Sequence, residues 1–155
     1  MPDGLTHALA GVLFARSKWF KGLPVSLLLI GALLPDVIQK PIESVFPQAE
    51  YYLLASHSVF LLVPLIAVIA LMIRKPGFIK TFYLLGVGVL THLGLDSLQY
   101  DYSGNYYPVF APFSYARFGV NLYHSESWIF VLLFMICGIL IAMLCAKARD
   151  KGNIR

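Results

Sequence analysis

Charge is scarce in this 155-residue chain: 13% of its residues are Asp, Glu, Lys or Arg, against 59% hydrophobic, where soluble domains average about 25% charged. That balance argues against a freely soluble fold and makes lipid the main solvent. Cysteine is nearly missing too. Cys137 and Cys145 are the only two, and eight residues apart in one apolar run they point about 80° apart around a helix. A disulfide framework and a thiolate metal site are therefore both disfavoured, and the pair reads as packing or lipid-facing. There is no internal repeat, low-complexity linker or break in composition, so residues 1–155 read as one integral-membrane helical domain. The start, Met1-Pro2-Asp3-Gly4, lacks a basic n-region, so insertion is expected to rely on the hydrophobic helices rather than on a cleaved signal.

What is present is a series of apolar runs. They predict an all-α, polytopic bundle of four to five transmembrane helices at about 5–16, 23–38, 51–73, 78–98 and 125–146. The first is short for a span. Lys21-Gly22 and Pro24 precede the second helix, Pro41 and Pro47 follow it, and Lys75-Pro76-Gly77 makes a turn between the third and fourth. Asn105 to Asn121 forms one long aromatic loop, rich in Tyr and Phe with Pro108 and Pro112, suited either to a lid or to a belt at headgroup level.

The net charge of +4 is explained by membrane orientation, so no nucleic-acid partner is expected. Arg16, Lys18, Lys21, Arg74, Lys75, Lys80, Lys147, Arg149, Lys151 and Arg155 lie at alternate ends of successive helices, hence on one side; Lys40 and Arg117 alone lie on the other. The positive-inside rule makes the basic side cytoplasmic, with the C-terminus, and the aromatic loop external. The acidic residues do the reverse, only Asp150 joining the basic side. The same fold-back carries His7, Asp36, His57, His92, Asp96 and His124 to the external level.

Ionisable groups at membrane depth cost at least about 2.5 kcal/mol each unless partnered, which makes them functional candidates. His92 and Asp96, four apart, share a helix face with Cβ atoms about 6 Å apart and can bind one cation together. Imidazoles and carboxylates without thiolate suit a divalent metal ion, zinc favoured, with manganese or iron also compatible. Each group also has a bland alternative: Asp36 a headgroup-level carboxylate where the second helix ends after Pro35, His7 and His57 satisfied polar contacts, His124 a helix start with Ser125 as cap. Their convergence favours the metal site. Arg117 is the candidate for binding an anionic substrate group, with an interfacial anchor as the alternative.

Thr6-His7-Ala8-Leu9-Ala10-Gly11, Gly31-Ala32-Leu33-Leu34-Pro35-Asp36, Ser56-His57-Ser58 and His92-Leu93-Gly94-Leu95-Asp96, followed by Pro112-Phe113-Ser114 and Arg117-Phe118, resemble in order and spacing the YdjM-like membrane-bound metal-dependent hydrolases. The resemblance covers about residues 5–120. It implies a helical membrane domain, hydrolase activity and His7, Asp36, His57, His92 and Asp96 as metal-site residues. One departure is Tyr52-Leu53-Leu54-Ala55, where that family often has His-Arg-Gly. The His-x-x-x-Asp element also looks like one in zinc-dependent phospholipases C.

Together these readings lead to the expectation of a membrane-bound metal-dependent hydrolase in the cytoplasmic (inner) membrane. Its catalytic candidates are Asp36, His92 and Asp96, its partners are membrane lipids, and its substrate is an ester or phosphoester of a lipid or lipid-linked molecule at the external leaflet. The alternative is a non-enzymatic membrane protein with a structural metal site or an ion- or proton-handling role.

Overall fold

The computed structural model describes residues 4–17, 20–49, 54–100, 108–116, 119–120, 122–124 and 127–152. Its helices are α1 (Gly4–Ala15), α2 (Val25–Val45), α3 (Val59–Met72), α4 (Phe78–Leu98) and α5 (Trp128–Gly152), with 3-10 turns at Pro47–Ala49 and Leu54–His57. The helical class is as expected. The sheet is a two-residue parallel ladder in which β1 (Gln99–Tyr100) pairs with β2 (Tyr123–His124).

Three boundaries differ from the sequence pattern. α2 does not end near residue 38 but continues through Pro41 to Val45, so Asp36 sits inside the helix rather than at its end. The carbonyl that Pro41 deprives of a partner belongs to Val37, a residue that is exposed; a Lys40–Asp36 ion pair precedes the proline, and beyond it Ser44 Oγ donates to the Pro41 carbonyl. α3 starts at Val59 rather than 51 because Ser58, in an extended conformation, caps it by accepting from the Phe60 N–H. α5 runs past residue 146, to Gly152.

α2 and α4 make the most extensive helix pair, and glycine makes it so. A Cβ on Gly31 would run into the Leu85 carbonyl, and one on Gly88 into the Leu28 carbonyl and the Ala32 backbone nitrogen. The two backbones can approach this closely only where neither residue has a side chain, the small-residue mode of packing between apolar helices. Leu27, Leu28, Leu84, Ala15 and Phe20 fill one core beside this crossing, while Leu62, Ile66, Leu85, Val89 and Leu93 fill another between α3 and α4.

Polarity is inverted relative to a soluble protein. His7, His57 and His92 are at most 1% exposed, whereas Met72, Ile79 and Phe134 are each 78–79% exposed. Large apolar side chains pointing outward over most helices need an apolar surrounding. Among the described residues, α2 and α4, at 21 residues each, are long and apolar enough to cross a membrane; α1 (Gly4–Ala15) and α3 (Val59–Met72) are shorter apolar helices, and α5 carries an apolar stretch over Ile129–Ile141. The described residues thus give two candidate spans where the apolar runs predict four to five, and the third run divides at Ser58, which leaves α3 short.

Candidate metal centre

Five side chains from four segments meet beside the α2–α4 crossing. On α2 the facing stripe runs Leu28, Gly31, Ala32, Asp36 and Gln39; on α4 it runs Leu85, Gly88, His92 and Asp96, all at helical spacing. The small residues bring the backbones together, and the polar residues one or two turns farther on are carried into the same space. α1 adds His7, and the turn before α3 adds His57.

His57 Nε2 lies 3.1 Å from His92 Nε2. Asp96 Oδ2 lies 3.2 Å from His92 Nε2 and 3.5 Å from His57 Nε2. Donor atoms around a tetrahedral zinc, with bonds of about 2.0–2.1 Å, stand about 3.3 Å apart, and the three edges bracket that value. Asp96 Oδ2 is buried and, among the described residues, accepts no hydrogen bond despite its two close nitrogens. A buried carboxylate oxygen without a hydrogen bond costs several kcal/mol in an apolar interior unless a cation takes that place. The residues present therefore fit a divalent cation.

A second group overlaps the first. The ligating atoms of His7, Asp36 and His92 lie within 4.8 Å of one another, as do those of His57, His92 and Asp96. Asp96 joins the two through its other oxygen, Oδ1, 3.4 Å from His7 Nε2. The His7 and His92 rings stack with centroids 3.8 Å apart, and His7 Nδ1 is buried without a hydrogen-bond partner among the described residues. Asp36 Oδ2 is held by Lys40 Nζ at 2.8 Å, the lysine being 44% exposed at the rim.

The histidines are oriented from behind. His92 Nδ1 lies 2.7 Å from the Ala32 carbonyl, which can only accept, so Nδ1 carries the proton and Nε2 presents its lone pair to the cluster. Pro35 removes the helical hydrogen bond one residue before the bond that Ala32 would receive, loosening α2 at this turn. His57 Nδ1 is 3.1 Å from Ser56 Oγ, which donates to Gln39 Oε1 at 3.3 Å. Burial pushes the His57 imidazole down to about 4 against the opposing pull of Asp96, so it is neutral at pH 7, the form that binds a cation.

The beginning of α3 is pinned by the aromatic segment: Val59 N–H donates to the Val109 carbonyl at 2.9 Å, and Ser58 Oγ donates to the Ala111 carbonyl. Tyr123 approaches from the other side. Its hydroxyl donates to the Leu95 carbonyl at 3.4 Å, and burial, with Asp96 adding to it, pushes the phenol up to about 12.

The structure thus brings together His7, Asp36, His57, His92 and Asp96. His124 lies in β2 opposite Tyr100 and belongs to neither metal-competent group. Arg117, Ser125 and Glu126, with Tyr52 and Leu53 of the departure, lie outside the described residues. Residues not read from sequence as part of the site are Gln39 and the Ala32 carbonyl, together with Ser56 in a supporting role. Gln39 carries the one legible signal, a polar residue three positions after Asp36 on the same helix face.

No curated protein and no solved structure matches the chain. The family model described as YdjM inner membrane protein matches residues 1–154. A match of that extent agrees with the outward apolar surface and the two candidate spans, and the chain belongs to the YdjM inner membrane protein family.

Proposed function

We propose that the chain is a metal-dependent hydrolase of the cytoplasmic membrane, acting at the external leaflet on an ester or phosphoester of a lipid or lipid-linked substrate. The observation that carries this reading is the triangle of His57 Nε2, His92 Nε2 and Asp96 Oδ2, with edges of 3.1, 3.2 and 3.5 Å and, among the described residues, no hydrogen bond to Oδ2. His57, His92 and Asp96 would hold the cation, with His7 and Asp36 beside it. Nitrogen and oxygen donors favour zinc, and manganese or iron suit the same set.

What a divalent cation supplies there is Lewis acidity, which polarises an ester or phosphoryl oxygen and acidifies water. The chain does the rest. The Ala32 carbonyl and Ser56 orient the two imidazoles, and the apolar helix faces place substrate lipid at the right depth. Asp36, paired to Lys40 at the rim, is positioned to take a proton from an attacking water.

The bundle is read as multi-pass, with the shorter apolar helices completing it around α2 and α4, the C-terminus cytoplasmic and the site toward the external face. The positive-inside distribution supports this orientation. Labelling an Ala116→Cys variant in a Cys137→Ser/Cys145→Ser background from outside intact cells checks it; access from the cytoplasm alone overturns it.

A second reading, a structural metal site, draws on burial: closed sites are typical of structural zinc, and His57 and His92 are 0% exposed. Metal analysis of detergent-purified wild type, His92→Ala and Asp96→Ala decides whether the centre exists. Stoichiometric metal in the wild type and its loss in both variants, at equal folding quality, is expected; equal metal content in all three overturns it. Chelator-sensitive turnover of phospholipids or lipid-linked phosphates then separates enzyme from structural site.

A further inference from the structure

Neutral His57 has one ring proton and two nitrogens to carry it. The cluster works as a cation site only if that proton is on Nδ1, because a proton on Nε2 would point at His92 Nε2, 3.1 Å away, and close the triangle with a hydrogen bond. Ser56 bears directly on the choice, because its hydroxyl lies 3.1 Å from His57 Nδ1. A hydroxyl has a single proton. If Ser56 donates to His57, the imidazole proton is forced onto Nε2; if Ser56 donates elsewhere, its oxygen is free to accept from Nδ1–H.

The elsewhere is Gln39. Its Oε1 lies 3.3 Å from Ser56 Oγ and accepts from it. Gln39 and Ser56 are 2% and 3% exposed, so bulk water does not compete for the serine proton. Gln39 stands one helical turn after Asp36 on α2, whereas Ser56 and His57 lie in the 3-10 turn before α3. The relay therefore also ties the separate segment that delivers His57 to the helix that delivers Asp36.

We infer that Gln39 is a positioning residue for the metal centre: by taking the Ser56 proton it makes Ser56 an acceptor, holds His57 as the Nδ1–H tautomer and turns the Nε2 lone pair toward the cation. The metal-affinity consequence rests on the metal-centre proposal; the tautomer does not. Supporting hydrogen-bond partners of this kind typically change metal affinity about 10–100-fold.

The test uses the full chain in detergent, with zinc alone as the probe, and Gln39→Leu, Gln39→Glu and Ser56→Ala variants checked for folding by circular dichroism and gel filtration. Gln39→Leu and Ser56→Ala each should weaken zinc binding about 10–100-fold, with no further loss when combined, since both break one relay. Gln39→Glu keeps an acceptor and should hold zinc affinity within about threefold of wild type. Nitrogen-15 spectra of the imidazoles in metal-free protein should show His57 protonated at Nδ1 in the wild type and shifted toward Nε2–H in Gln39→Leu. A wild-type His57 protonated at Nε2, or Gln39→Leu with wild-type tautomer and affinity, overturns the inference. A wild type with the Nδ1–H signature but no zinc uptake overturns the metal-centre proposal and the affinity consequence, while the relay stands. If Gln39→Leu does not fold, Ser56→Ala carries the same comparison.

Discussion

His57 and His92, 35 residues apart in the chain, face each other through their Nε2 atoms at 3.1 Å. His92 has an Nδ1 proton committed to the Ala32 carbonyl, so its neutral ring turns a lone pair to His57. Two imidazoles arranged this way either share one proton or share a cation, and the unbonded Asp96 Oδ2 beside both favours the cation.

Cobalt(II) loaded into purified wild type should give the visible absorption of a four-coordinate nitrogen and oxygen site. His57→Ala and Asp96→Asn should each lose it. Absorption unchanged in both would place the cation away from the triangle.

The α2–α4 crossing predicts opposite results for two glycines of one helix. Gly88→Val forces side-chain atoms into the α2 backbone and should cost at least about 1–3 kcal/mol of stability. Gly94 meets nothing within 4 Å, so Gly94→Ala should stabilise, by up to about 1 kcal/mol through helix propensity. Thermal midpoints in one detergent compare them, and equal behaviour would contradict the close approach of the two helices.

Lys40 stands at the rim and pairs with a buried Asp36. Because the lysine is nearly half exposed, Lys40→Ala should change stability by no more than about 1 kcal/mol. The same change frees the Asp36 carboxylate and removes a competing cation, so zinc should bind about fivefold more tightly, the equivalent of about 1 kcal/mol. Calorimetric titration reads this, and weaker binding in the variant would show that Lys40 does not compete with the metal.

Acid should destabilise the metal-free protein through His57. The folded imidazole resists protonation until the pH nears about 4, whereas the unfolded one takes a proton near 6.5. The unfolded state therefore binds more protons between these values, and the stability contributed by this group is complete above pH 6.5 and lost as the pH falls to about 4. Measured as a thermal midpoint, the advantage of wild type over His57→Gln should shrink across that window. An advantage that grows toward pH 4 would mean that His57 is stabilised in its charged form.

Much of the fold was legible because lipid leaves a strong imprint on composition. The span at 78–98 was read to the residue, since Gly77 and Gln99 flank a pattern with no competing punctuation. Helix ends elsewhere were less legible. Pro41 looks like a stop, yet the helix passes through it, because Pro41 frees only the exposed carbonyl of Val37, one that water or the headgroup region can satisfy. Ser56-His57-Ser58 lies within an apolar run, and only the backbone shows that Ser58 is a cap.

The sequence by itself determined that the protein belongs in a membrane, because runs this apolar must lie in lipid. Linear spacing also paired His92 with Asp96, since four residues is one helical turn. Tertiary structure alone decided which of the others meet them. Among the described residues, His7, Asp36 and His57 join the metal-competent groups while His124 lies in β2, an outcome set by how closely α2 and α4 pack at Gly31 and Gly88. The protonation face of each imidazole was likewise decided by contacts distant in sequence, Ala32 behind His92 and Gln39 through Ser56 behind His57, which no local pattern encodes.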